Sequence, residues 1–141
     1  MIIAVVFLLV TFAACSPKCE VKGISVSELL MTNAEERNID YCDILSLASS
    51  NDKSAIKQIS LLEFENAVGY DHGIVLVELI EKIGENNFIE GIKELSIGER
   101  NRVKSYLEVG IEYGETNGEH DLKKRFPKLF DVLTSPVVYQ S

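Results

Sequence analysis

Apolar residues recur at intervals of three and four positions along most of this chain, and short polar breaks separate the intervals. Such spacing is typical of amphipathic helices, because residues three or four positions apart share one helix face. The pattern predicts an all-α domain over residues 25–135. We expect five or six short helices, arranged as an irregular bundle or as stacked helical hairpins.

The most apolar of these stretches runs from His72 to Ile83 and is hydrophobic on most of its circumference. A helix of this kind lies in the middle of a bundle. Residues 74–77 alone could form a buried strand, but the length of the whole stretch and the glycine at Gly84 favour a helix. We therefore expect a central helix here, with Asp71 as its N-cap.

Local signals predict where most helices begin. A capping box pairs a small polar residue with a glutamate three positions later. It occurs at Ser25–Glu28, Asn87–Glu90 and Ser96–Glu99. The other expected helices start at Asn33 or Asp40, span Lys53–Phe64, and span Asp121–Thr134, where Pro127 restarts or kinks the last one.

Charged residues of the helix after Ser96 are expected on its solvent side. Arg100, Arg102 and Lys104 fall outside its apolar stripe. Ion pairs three or four residues apart then become available with Glu99 and Glu108.

A different apolar pattern precedes the domain. Residues 2–14 carry no charged side chain. As a helix this run would extend about 20 Å, which is less than the roughly 30 Å of a bilayer core. An apolar run of this length that ends in small residues is typical of a secretory signal peptide.

The end of that run, Phe12-Ala13-Ala14-Cys15, resembles the lipobox of bacterial lipoproteins, although a leucine is more usual where Phe12 stands. The resemblance implies that residues 1–14 are a signal peptide and that Cys15 becomes an acylated N-terminus. A diacylglyceryl group with an amide-linked chain such as palmitate would anchor the protein stably in a membrane. An uncleaved hydrophobic anchor and an ordinary secreted protein are the alternatives.

This reading divides the chain into a leader, a tether over residues 15–24, the helical domain, and a tail over residues 136–141. It places the domain in the bacterial cell envelope, facing the periplasm or the cell surface. The chain contains three cysteines. If Cys15 carries lipid, Cys19 and Cys42 remain as a pair, and a disulfide between them is chemically allowed outside the cytoplasm. A buried Cys42 with a free Cys19 is the other possibility.

The net charge of −8 narrows the range of partners. Nucleic acid is not expected, because phosphate binding requires clustered lysine and arginine. A basic protein partner is compatible with this charge, although acidity also serves solubility alone.

Few residues suggest chemistry. The two histidines, His72 and His120, each lie beside an aspartate, which makes them weak candidates for a metal site with Asp71 and Asp121. No spacing typical of metal ligands, catalytic serines or phosphate-binding loops accompanies them. We therefore expect no resident metal or cofactor and no catalytic residues.

The functional prediction is a non-catalytic, protein-binding or inhibitory module tethered in the envelope through Cys15. At a general level the chain resembles the small acidic lipoproteins that act as immunity proteins against toxins, and no motif links it to one of them. The alternatives are a small metal-dependent hydrolase that uses His72 and His120, and a carrier with an apolar cavity between its helices.

Overall fold

The computed structural model describes residues 18–114 and 119–136. Within these residues the protein is helical, and an isolated bridge between Val21 and Ile24 is the only strand-like pairing. The chain forms eight helices over the described ranges, α1 (Glu28–Glu36), α2 (Tyr41–Ser49), α3 (Lys53–Ser60), α4 (Asn66–Ile83), α5 (Glu85–Ile92), α6 (Ile97–Tyr113), α7 (Leu122–Arg125) and α8 (Pro127–Thr134).

The all-α bundle is confirmed, but the expected count of five or six helices is too low. The last apolar stretch is divided at Phe126, whose backbone is not helical (φ −132°, ψ 70°). Pro127 then occupies the first position of α8, where its missing N–H has no intrahelical partner to lose. Short breaks likewise separate α1, α2 and α3, so the first third of the domain holds three helices of eight or nine residues.

The centre of the domain is the crossing of α4 and α6. Gly73 and Gly110 lie in direct backbone contact there, and a Cβ on Gly110 would overlap the carbonyl oxygen of Gly73. Two helices can approach this closely only where neither carries a side chain. On either side of the crossing, the apolar faces of α4 and α6 contribute to the core. Leu76, Leu79 and Leu107 are fully buried there.

The predicted central helix is confirmed, but its predicted start at Asp71 is wrong. Helix α4 begins at Asn66, with Glu65 in the N-cap position. Glycine is a poor helix former, so Gly69 and Gly73 weaken the helix signal of its first turns in the sequence. Here close packing outweighs that propensity, since Gly69 lies against the Phe64 carbonyl and Gly73 against α6.

Two of the three predicted capping boxes are displaced. Ser27, not Ser25, caps α1, and its hydroxyl accepts a hydrogen bond from the Leu30 N–H. The Ser25 N–H instead donates to Glu78 at 2.7 Å. Helix α5 begins at Glu85, directly after Gly84, not at Asn87. The box at Ser96 is confirmed, with both of its reciprocal hydrogen bonds present.

The prediction of a solvent-facing Arg100 is wrong, because this residue is only 1% exposed. Its guanidinium donates a hydrogen bond to the Val132 carbonyl at 2.9 Å, near the end of α8. This hydrogen bond to a backbone carbonyl offsets part of the cost of burying the charged group. The expected pair of Lys104 with Glu108 is present.

The segment predicted as a tether belongs in part to the domain. Val21 and Ile24 are buried, and Cys19 is joined by a disulfide to Cys42 in the first turn of α2. The Lys22 carbonyl accepts a hydrogen bond from Lys82 at 2.8 Å. The chain is therefore fixed to the domain from residue 19 onward. The lipobox, Cys15 and the tail beyond Pro136 lie outside the described residues.

Candidate functional site

One concave surface of the described residues is an open cleft of about 700 Å³. It lies between α1, the loop that joins α3 to α4, and the first turns of α6. We call it the arginine cleft, after Arg37 and Arg102. Its lining consists of Leu29, Asn33, Arg37, Glu63, Phe64, Glu65, Asn66, Ala67, Val68, Arg102 and Tyr106.

The floor of the arginine cleft is fixed by one tyrosine. The Tyr106 hydroxyl, on α6, accepts a hydrogen bond from the Phe64 N–H and donates one to the Phe64 carbonyl, both at 2.8 Å. The α3–α4 loop has no regular partner for these two backbone groups, and the hydroxyl supplies both. These two hydrogen bonds fix the position of the loop relative to α6.

Arg37 forms one wall of the cleft at the end of α1. Its guanidinium donates to the Glu63 carbonyl at 2.6 Å and lies 4.9 Å from the centre of the Phe64 ring. A cation over an aromatic face at this distance is favourable. The side chain is thus ordered by contacts with the loop, while the residue as a whole remains exposed.

Arg102 forms the opposite wall and pairs with the Glu63 carboxylate. Both side chains are about half exposed, at 47% and 59%. Exposed pairs of this kind contribute about 0 to 1 kcal/mol. A partner that offered a better acceptor could therefore draw Arg102 away from Glu63 at little cost.

The backbone at the edge of the cleft is unusual at Asn66. This residue has φ 53°, the left-handed region that asparagine tolerates better than most residues. It turns the chain sharply from the loop into α4, and the first residues of that helix, Asn66 and Ala67, are consequently exposed on the cleft rim.

A smaller hollow of about 170 Å³ continues the cleft along α4 and α6. It shares Phe64, Asn66, Arg102 and Tyr106 with the larger one. Its end is marked by Tyr70, whose ring stacks on that of Tyr113 with centroids 4.9 Å apart and planes 7° from parallel. Both rings are exposed, at 44% and 57%, and Leu29 on the far rim is exposed at 50%.

Beneath the cleft lies a buried aromatic cluster centred on His72. The rings of Phe64 and Tyr106 each lie 5.0 Å from the imidazole, and Tyr41 lies 5.7 Å away. The Tyr41 hydroxyl and His72 Nδ1 are 2.8 Å apart. No local pattern in the sequence predicts this cluster, because its four members come from four separate segments.

Burial controls the protonation of this pair. Desolvation lowers the pKa of His72 to about 3, and the Ile59 backbone, which acts in the opposite direction, offsets little of the shift. Desolvation also raises the pKa of the Tyr41 hydroxyl well above its ordinary value. Tyr41 therefore keeps its proton beside a neutral imidazole, and the tautomer of His72 sets the direction of the hydrogen bond between them. Nε2 is buried with no partner in hydrogen-bonding geometry among the described residues.

The two histidines occupy different environments. His72 is fully buried, and His120 is exposed in the loop before α7. Their aspartate neighbours have structural contacts, since Asp71 accepts a hydrogen bond from the Ser27 hydroxyl and Asp121 caps α7. Over residues 18–114 and 119–136, no three histidine, cysteine, aspartate or glutamate side chains are grouped as metal ligands would be.

Comparison with protein-family models, with curated proteins and with solved structures finds no significant match. Among the described helices, none combines the length and the hydrophobicity that a membrane crossing requires. The candidate site is therefore assigned from its geometry. It is an exposed cleft with two arginines, an aromatic floor and an exposed tyrosine pair.

Proposed function

We propose that this protein is an envelope lipoprotein, anchored through Cys15, whose helical domain binds another protein through the arginine cleft and inhibits or sequesters it. The observation that carries the proposal is the composition of the cleft and its extension. Arginine and tyrosine are the residues most often responsible for binding energy at protein interfaces, and here they surround one concave surface. The lipobox resemblance at Cys15 supports the location.

The cleft and the whole protein differ in charge, which favours a particular kind of partner. Two arginines and two glutamates line the cleft, so its own charges balance. The chain as a whole carries −8. A partner with a basic surface would be attracted at long range and would then place its contact segment among ordered side chains. Its association should accordingly slow as the salt concentration rises.

The first test locates the partner on the surface. A photo-crosslinking amino acid is introduced at Ala67, on the cleft rim, or at Lys128 on α8, and each variant is produced in the native host. Helix α8 packs on the side of α6 opposite the cleft, because Arg100 and Lys104 face it while Arg102 and Tyr106 face the cleft. We expect a protein crosslinked from Ala67 and not from Lys128.

The second test measures affinity with that partner purified. Arg102→Ala and Tyr70→Ala should each weaken binding about tenfold or more, as interface hot spots do. Lys128→Ala removes an exposed basic residue elsewhere and should leave binding unchanged. Equal crosslinking from both positions would contradict the assignment of the cleft as the binding site. An affinity that is unchanged by the cleft substitutions would contradict it as well.

A further inference from the structure

The disulfide fixes where the chain leaves the domain. Cys19 is bonded to Cys42, and Val21 and Ile24 are buried two and five residues further on. Residues from 19 onward therefore cannot serve as free linker. Three residues, Ser16, Pro17 and Lys18, separate this fixed point from Cys15.

With Cys15 lipidated, as proposed above, this spacing limits how far the domain can lie from the membrane. Four residue steps, fully extended, reach about 14 Å. About 120 residues give a radius of gyration near 14 Å. The domain is therefore about twice as wide as this linker is long. We propose that the domain is held against the lipid headgroups, with the surface around Cys19 facing the bilayer.

The composition of that surface is compatible with contact with headgroups. It carries the exposed lysines Lys18, Lys22 and Lys82, and the last donates to the carbonyl of the second. The two hollows beside them are also lined by four glutamates, Glu20, Glu28, Glu78 and Glu81, so this surface has no excess of basic charge. The orientation of the domain therefore comes from the short linker and not from attraction to anionic lipid.

The same orientation points the arginine cleft away from the bilayer. Helix α1 separates the two surfaces. Leu29 and Asn33 line the cleft, whereas Glu28 and Met31 line the hollow beside Cys19. At 100° per residue the two pairs are centred about 150° apart around the helix axis. The cleft is therefore open to a partner that approaches from the aqueous side.

The test uses the full chain, expressed with its own leader and incorporated into phospholipid vesicles that carry a quencher on their headgroups. An azide-bearing amino acid replaces Lys22 or Ala67 and is coupled to a dye, which leaves the cysteines untouched. We expect quenching at position 22 to be severalfold stronger than at position 67.

A matched variant lengthens only the linker between Cys15 and Cys19. About twenty Gly and Ser residues inserted between Pro17 and Lys18 add a span of about 25 Å and keep the disulfide. Quenching at position 22 should then fall towards that at position 67. Equal quenching at both positions in the unlengthened protein would overturn the orientation and leave the anchor intact. Failure of the protein to float with the vesicles, or flotation that survives Cys15→Ser, would overturn the lipid anchor itself.

Discussion

The Tyr106 hydroxyl is hydrogen-bonded to both backbone groups of Phe64, although the two residues are 42 positions apart. One side-chain atom thereby satisfies the donor and the acceptor of a loop residue that no helix supports. The same contact joins the floor of the arginine cleft to α6. The Tyr106 hydroxyl therefore supports both the loop and the shape of the cleft, beside the hydrogen bond from Arg37 to the Glu63 carbonyl.

Tyr106→Phe should lower the free energy of unfolding by about 1 to 3 kcal/mol, because it leaves two partly buried backbone groups without a partner. Urea denaturation followed by far-UV circular dichroism measures this loss. Tyr113→Phe removes the hydroxyl of an exposed tyrosine and should change stability by less than about 0.5 kcal/mol. Equal effects of the two substitutions would contradict the role of the Tyr106 hydroxyl.

Gly110→Ala should destabilise the protein strongly, because the new methyl group would overlap the backbone of Gly73. Overpacking of this kind costs about 1 to 3 kcal/mol or more. Thermal unfolding reports it as a lower Tm.

Gly98→Ala provides the matched control on the same helix. No heavy atom lies within 4 Å of a Cβ at position 98. Alanine there should leave Tm unchanged or raise it, since it is the better helix former. A Gly110→Ala variant that melts with the wild type would show that α4 and α6 do not pack through their backbones.

Burial of neutral His72 makes stability depend on pH in a defined direction. The pKa falls from 6.5 to about 3 on folding, so the unfolded chain binds a proton that the folded protein does not. This contribution is fully present above about pH 6.5 and is lost as the pH falls towards 3. The limiting slope is about 1.4 kcal/mol per pH unit.

The measurement compares urea unfolding of the wild type and of His72→Gln between pH 7 and about pH 4. Glutamine retains a polar side chain near Tyr41 but does not titrate. The difference between the two proteins should shrink as the pH falls, while contributions from the carboxylates cancel. A difference that stays constant with pH would show that folding does not lower the pKa of His72.

The disulfide should stabilise the domain by about 3 kcal/mol, because it joins two residues 23 positions apart in the unfolded chain. Reduction should lower the denaturation midpoint of the wild type and leave a Cys19→Ser, Cys42→Ser double variant unaffected. A midpoint that does not respond to reductant in the wild type would mean that the two thiols are free.

Local signals in the sequence were sufficient for the parts of the fold that depend on neighbouring residues. The capping box at Ser96 and the restart at Pro127 are examples, since each is decided within four positions. The start of α4 was not predictable in this way. Its glycines weaken the helix signal locally, and only their contacts with α6 explain why the helix forms there.

The candidate site was largely hidden for the same reason. Tyr70 and Tyr113, which form the stacked pair, lie on two different helices, α4 and α6. Nothing near Arg37 or Arg102 indicates that both would meet Glu63. The burial of Arg100 depends on a carbonyl of α8, 32 residues away. Sites built from loops and from distant helices leave no periodic trace.

The stacked pair of Tyr70 and Tyr113 gives the protein an intrinsic optical signal. The chain contains no tryptophan, so tyrosine absorption and emission are not masked. Two rings 4.9 Å apart and nearly parallel are close enough for their electronic transitions to couple. Binding beside them would alter that coupling, and the near-ultraviolet spectrum of the unlabelled protein would then record occupancy of the cleft directly.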